Sequence, residues 1–329
     1  MSVTIKDIAS LAGVSYSTVS KALNNSPLVK EKTKNKIFRI ANQLGYEPNF
    51  AAQSLVSKKS NTIGLLWPTV ERAALSNLAT HINNELENHS YSMILSINQI
   101  DSAIKLFNRL KVDGILLFDE SYGNNSGAIR SSSIPILCYG ESGNSDIPSI
   151  DVDRRNAVFK AVEYLFQLGH RRIAYVGDVN HRIQQQKYIG FTEGMMKYGL
   201  QSHPDMVNNT NGLGWQNGYE ATKKLLGSSF GPTAIVSASY ELTIGVLRAI
   251  KEARLQVPKD ISLISYDNIP QMEDLEVSMT AVGAPVEKVS KNIVQSLLDQ
   301  INQNKSGTCH SVETDLVIRE SCSPPRDLV

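Results

Sequence analysis

Cysteine is scarce in this chain. Cys138, Cys309 and Cys322 are three in 329 residues, odd in number and scattered. That pattern excludes a disulfide framework and a thiolate metal site, and it fits a reduced, cytoplasmic setting. Long apolar runs are also missing. "IGLLWP" and "GILLF" are only strand-sized, far short of the roughly 20 apolar residues that cross a bilayer as a helix, so no membrane partner is expected. After Met1 the residues are polar and charged, with no apolar leader, and a cytoplasmic location is expected. Catalytic signatures are lacking too: there is no P-loop, no H-E-x-x-H and no G-x-S-x-G. "GLGWQNG" at 212–218 has one residue too many for G-x-G-x-x-G, and the "MVNNTN" before it does not read as a strand. The six histidines do not cluster. Asp146, Asp151 and Asp153 fall in a loop-to-strand passage rather than on facing helices. An enzyme is therefore not expected, nor a cofactor or a metal.

What is present is an uneven distribution of charge. The whole chain carries +1, yet residues 1–60 hold nine Lys and Arg against three acids, a net +6. The other 269 residues hold 24 basic and 29 acidic side chains, a net −5. A basic head on an acidic body is the electrostatic footprint of a nucleic-acid-binding module. With 41% hydrophobic and 20% charged residues the composition is that of a globular protein with real cores.

The head, residues 1–46, reads as three short helices. Thr4 caps the first, with Asp7 at capping-box spacing. Ile5, Ile8, Ala9, Leu11 and Ala12 give it an apolar face. Gly13 turns the chain where a positive φ is needed. Ser15 caps a second helix that turns Val19, Ala22 and Leu23 inward, and a third, from about Thr33 to Leu44, adds Ile37, Ile40, Ala41 and Leu44 before Gly45 ends it. The close spacing of Ala9, Gly13, Val14 and Val19 is a helix-turn-helix pattern. Behind the head, "NFAAQSLVSKKS" at 49–60 has helix-forming composition but is too short to be well populated alone.

These residues resemble the lactose-repressor (LacI/GalR) family of bacterial transcription regulators. "TIKDIASLAGVSYSTVSKALN" and "LGYEPNFAAQSL" follow that family's V-S-x-x-T-V-S-R, L-N and L-G-Y-x-P-N-x-x-A-x-x-L pattern. The resemblance implies that Tyr16 and Ser17 read base edges in the major groove. Lys21 stands where the family usually has Arg and can contact guanine without Arg's planar fork. Thr18, Ser20 and Asn24 position the helix on the backbone. Lys30 replaces the usual small cap of the third helix. The resemblance also implies that residues 47–60 are a linker and hinge helix that forms on DNA beside its twin. Leu55 would wedge a minor-groove base step, with Ala51, Ala52 and Val56 small enough for close approach.

From Asn61 onward, strand signals ("NTIGLLW", "YSMILSI", "DGILLF", "IPILCY", "RRIAYVG", "PTAIVSA", "DISLISY", "LVI") alternate with amphipathic stretches at Leu75–His89, Ala157–Leu168 and Leu242–Ala253. Alternation of this kind predicts an α/β fold with parallel sheets in two lobes. "LGHRRIAYVG", "GPTAIVSA", "VPKDISLISYDN" and "MTAVGAPVEKVS" are similar to the same family's doubly wound regulatory core, which resembles periplasmic sugar-binding proteins. The implied first lobe is about 61–159 and 287–315, the second about 160–286 and 316–329, with a ligand between them at the strand carboxyl ends.

Asp267 matches a family acid that accepts ligand hydrogen bonds. Lys187 stands at a ligand-gripping Arg, and Asp153 matches an acid near the crossover. The departures are Glu71 and Arg72, expected to face the cleft where N-P-F-F is common, and Ser239-Tyr240, with Glu241 behind, where A-N-D is common. Trp215 and Tyr219 lie near the family's stacking aromatic. Acids with few arginines favour a neutral or amine-bearing sugar. The expected protein is a homodimeric, effector-responsive repressor of a carbohydrate-related operon, binding a pseudo-palindromic operator. The alternatives are an activator, or a regulator that needs its ligand to bind DNA; a solute-binding module is a more distant one.

Overall fold

The computed structural model describes residues 3–23, 26–46, 59–118, 127–140, 147–302 and 310–326. The chain divides into two compact units, Met1–Ser60 and Asn61–Val329.

The first unit contains α1 (Ile5–Ala12), α2 (Tyr16–Leu23) and α3 (Glu31–Gln43). The Asp7 carboxylate accepts from the Thr4 amide at 2.8 Å and the Thr4 hydroxyl at 2.7 Å, and these bonds hold its pKa below the ordinary value. Gly13 ends α1 at φ +64°. The Ser15 hydroxyl then accepts the Thr18 amide at 3.2 Å and opens α2. Ile8, Ala9, Ala12, Val19, Ala22, Val29, Ile37 and Ala41 form the core of this unit. Leu11, expected to face inward, is 60% exposed, because its position on an eight-residue helix falls outside the stripe defined by Ile8, Ala9 and Ala12. Lys30 opens α3 with no side-chain cap.

The second unit holds two six-stranded sheets. The strands are β1 (Thr62–Leu66), β2 (Ser92–Ser96), β3 (Gly114–Phe118), β4 (Ile136–Tyr139), β5 (Ser149–Val152), β6 (Ile173–Gly177), β7 (Val207–Asn209), β8 (Ala234–Ser237), β9 (Ser262–Tyr266), β10 (Thr280–Gly283), β11 (His310–Val312) and β12 (Asp315–Val317). Their orders are β11-β5-β4-β3-β1-β2 and β12-β10-β9-β8-β6-β7. The two windings are the same, and each has a switch point where the order reverses beside its first strand. All pairs are parallel except β10–β12. β1, β3, β6 and β9 are buried along their whole length, as parallel strands covered on both faces must be.

The helices of this unit are α4 (Ala73–Asn88), α5 (Ile100–Leu110), α6 (Gly127–Ser131), α7 (Arg154–Gln167), α8 (Arg182–Lys197), α9 (Trp215–Leu226), α10 (Tyr240–Glu252) and α11 (Val286–Ile301). Leu75, Leu78, Ala79, Ile82 and Leu86 form the buried stripe of α4. A buried Leu or Ile of this kind contributes about 1.5–3 kcal/mol relative to exposure.

The chain passes between lobes three times: at Asp153 between β5 and α7, at residues 284–285 between β10 and α11, and at residues 313–314 between β11 and β12. Residues 154–159, expected in the first lobe, lie in the second, because α7 is one continuous helix packed on β8, β9 and β10. β7 was not legible as a strand: its three residues, Val-Asn-Asn, form an edge strand paired only to β6.

Glycine sets the closest helix contacts. A Cβ on Gly190 of α8 would lie 2.0 Å from the Arg155 carbonyl oxygen of α7. Gly190→Ala is therefore expected to destabilise the protein by at least about 1–3 kcal/mol through overpacking. Thermal melting should show a fall of several degrees; an unchanged midpoint would refute the close approach.

Candidate functional site

Two surfaces carry the chemistry. On the first unit, Tyr16 is 55% exposed, Ser17 and Lys21 are exposed, and Thr18 and Ser20 are half-buried. Ser17 and Lys21 are four apart on α2 and share a face. The Thr18 hydroxyl is tied to Ser15 at 2.8 Å. Lys36 donates to the Ala12 carbonyl at 2.9 Å and so satisfies the end of α1. Lys34 is only 6% exposed and pairs with Glu31 at 2.9 Å, so this basic residue of the head is held within the fold. Asn24, Ala52 and Leu55, with their neighbours Ala51 and Val56, lie outside the described residues.

The second surface is the cleft between the lobes. Phe118, Tyr139, Val152, Tyr266 and Gly283 are the last residues of β3, β4, β5, β9 and β10. Together they line two adjoining cavities of about 70 and 60 Å³. Asp267 is at φ +84°, a turn that aims its carboxylate back at α10, where it accepts the Tyr240 amide at 3.0 Å. Lys187, 2% exposed, donates to the Ala238 carbonyl at 2.7 Å and lies 3.7 Å from the centre of the Tyr266 ring. Arg154 pairs with the buried Asp151. Burial is the largest influence and opposes its charge, but Asp151, Tyr266 and Tyr139 together outweigh it and raise the guanidinium pKa. Gln184, 1% exposed, has its Oε1 buried without a hydrogen-bond partner. Burial pushes the Tyr139 hydroxyl up to about 12 and Tyr266 higher, so both remain neutral donors.

Contacts also run from lobe to lobe. Glu241 of α10 accepts the Ala73 amide of α4 at 2.8 Å and lies 4.0 Å from Arg72 Nε. Asn77 donates to Gln271 at 3.1 Å. Ile183 of α8 packs in the core of the first lobe.

Of the residues singled out in the sequence, Arg72, Lys187 and Asp267 line the cleft. Glu71 is exposed and does not. Asp153 caps α7, accepting the Asn156 amide at 3.0 Å. The Tyr240 ring packs on the core of the second lobe. Trp215 is off the cleft: the Arg248 guanidinium stands 5.1 Å over its ring, and Arg248 also covers Tyr219 at 5.6 Å. These aromatics serve the packing of α9 on α10. Arg154, Gln184, Tyr139 and Tyr266 were missed. A signal existed for the tyrosines, since "LCY" and "ISY" each end a buried run at the carboxyl end of a strand. Among the described residues, Arg72, Arg154 and Lys187 stand on the walls of the cavity of about 70 Å³ with one carboxylate, Asp267. A larger cavity of about 510 Å³ beside Leu247 and Val277 on the second lobe is bordered by Lys251 and Glu276, which are paired to each other at the surface.

Residues 4–49 match the family model described as bacterial regulatory proteins, lacI family, and residues 162–322 match a periplasmic binding protein-like domain. The chain is 34% identical over 329 residues to a probable HTH-type transcriptional repressor, ExuR, of Bacillus subtilis (strain 168), covering 97% of this chain and 98% of that one. Its fold is similar to the Lac repressor dimer bound to operator and the anti-inducer ONPF, with a TM-score of 0.85 and 24% identity over 98% of this chain and 100% of that one. It is also similar to a LacI family regulator from Enterococcus faecium with bound ribose. There the TM-score is 0.72 and the identity 25%, over 80% of this chain and 99% of that one.

Replacing Trp215 by Ala is expected to leave the affinity for a cleft ligand within about twofold, measured by calorimetry; a large loss would return the indole to the site. The Glu241 carboxyl titrates above its ordinary 4.5, through burial first and the Asp267 charge second. The folded state thus keeps this proton to higher pH than the unfolded chain does. Stability from this group is full below about 4.5 and is lost as pH rises through the folded value. Glu241→Gln should flatten that part of the melting-temperature profile. Parallel profiles for the two proteins would refute the assignment.

Proposed function

The chain belongs to the bacterial regulatory proteins of the lacI family, and from that premise we propose that it represses transcription of a carbohydrate-related operon from the cytoplasm, released or reinforced by a small molecule in the interlobe cleft. It is a DNA-binding regulator and not an enzyme. The observation that carries the reading is the pairing of an exposed α2 face, with Tyr16, Ser17 and Lys21, with a two-lobed unit whose strand carboxyl ends meet at a charged cleft. Tyr16, Ser17 and Lys21 read bases, and Thr18 and Asn24 set the helix on the duplex. As a homodimer, the protein places two heads on a pseudo-palindromic operator.

Leu55, with Ala52 beside it, enters the minor groove at the centre of the operator. Wedging a base step bends the duplex, and an apolar side chain suits that role. The cavities are smaller than the roughly 300 Å³ of ordinary ligand pockets, so a sugar-sized effector enters as the lobes part and the contacts of Glu241 with Ala73 and Arg72 break. Coupling of about 1–3 kcal/mol between effector and operator then suffices for control. The ribose-bound relative supports a carbohydrate as effector. Among the described residues no helix is long and apolar enough to cross a membrane.

Operator selection from a random duplex library tests the reading, because a protein that binds all duplexes equally is not this regulator. Lys21→Ala should cost about 1–3 kcal/mol at one base position and relax preference there. Lys34→Ala, by contrast, should lower the melting temperature of the head and leave the salt slope of binding unchanged. Fluorescence anisotropy across a salt series separates the two, and a slope reduced by about one unit in the Lys34 variant would place that lysine on a phosphate after all.

A further inference from the structure

The three cations on the cleft wall come from different elements. Arg72 stands at the start of α4 in the first lobe, Arg154 at the passage into the second, and Lys187 on α8. All three line the same cavity of about 70 Å³, in which, among the described residues, Asp267 is the one carboxylate on the wall. Asp151 and Glu241, the acids that face Arg154 and Arg72, line neither cavity. A ligand in this cavity meets the three cations on its wall, whereas two of the acids that face them do not line it, and that placement favours an anion in the cavity. It disfavours an ammonium group on the ligand.

We propose that the effector is a hydroxylated carboxylic acid of monosaccharide size, a sugar acid whose carboxylate is held by Arg72, Arg154 and Lys187; this rests on the reading of the chain as a carbohydrate-responsive regulator. Three observations define the chemistry. A protein carboxylate, that of Glu241, already takes the Ala73 amide at 2.8 Å beside Arg72, so this corner of the cleft accommodates a carboxylate. A planar carboxylate also matches the guanidinium fork and adds little volume to a sugar. Gln184 Oε1, buried in the same wall without a hydrogen-bond partner, lacks a donor that a ligand hydroxyl supplies; a hydroxyl serves equally well with the amide turned over. Tyr139 and Tyr266 present aromatic surface for the C–H faces of a ring.

Calorimetric titration of the full-length protein decides the matter. The probes, in both the gluco and galacto series, are the hexuronate, the neutral hexose, the hexosamine and the hexose 6-phosphate. The uronate of one series should bind at least about tenfold more tightly than its neutral hexose, the order expected for one charge-assisted hydrogen bond. Lys187→Gln should cut the ratio of uronate to hexose affinity at least about threefold, and an unchanged ratio would remove this lysine from the carboxylate site. If Lys187→Gln melts at much lower temperature, Arg72→Gln makes the same test from the other lobe. A neutral hexose or a hexosamine that binds as well as the uronate overturns the proposal and leaves the carbohydrate reading standing. So does a 6-phosphate that binds more tightly. Absence of binding by every probe removes both, whereas selective operator binding, measured separately, would still support the regulator.

Discussion

Parallel pairing is the constraint on which this molecule depends. Because every described strand but β12 runs parallel to its neighbours, each sheet gathers its carboxyl ends along one rim. The chain crosses between lobes after β5, β10 and β11, so the crossings tie those rims together. A cleft between carboxyl ends is then unavoidable, and Phe118, Tyr139, Val152, Tyr266 and Gly283 line it because they are the last residues of their strands.

The same arrangement explains where charge is placed. Residues that follow strand ends are backbone-exposed and close to helix starts, so their polar groups serve both the fold and the cleft. Asp267 holds the first amide of α10 while it lines the cavity. Asp153 caps α7. Arg154 lies against Asp151 at the passage, where a buried charge requires a partner. Glu241 reaches across to the first turn of α4, so among the described residues the arrangement of the lobes is written in a few polar contacts together with the Ile183, Ala73 and Ala74 side chains. Lobes joined in this way can part at modest cost, which suits a sensor whose answer must change with a ligand.

The head was largely legible from residue order. Thr4, Asp7, Gly13 and Ser15 act within one turn of chain, and Ile8, Val19, Ala22 and Ile37 show the 3.6 period directly. Leu11 was misplaced because on a short helix one apolar position more or less does not alter the period. All eight strand signals of the body correspond to strands, and for β1, β3, β4, β6, β8 and β9 the reason is that buried parallel strands are continuous apolar runs. The short strands β5, β7, β10 and β11 escaped. Their pairing is set by neighbours far along the chain, not by their own three or four residues.

Sequence alone determined the helix-turn-helix head, the alternation that makes two parallel sheets and the family to which the chain belongs. All three reside in local periodicity and in motifs whose residues are close along the chain. Only the tertiary structure decided which charges meet in the cleft. Trp215 and Tyr219 went to the α9–α10 contact under Arg248, and Arg154 and Gln184 came to the wall beside Arg72 and Lys187. The reason is geometric: the direction of a side chain at a strand end or a lobe crossing depends on how two distant sheets are brought rim to rim, and no periodicity in the sequence records that.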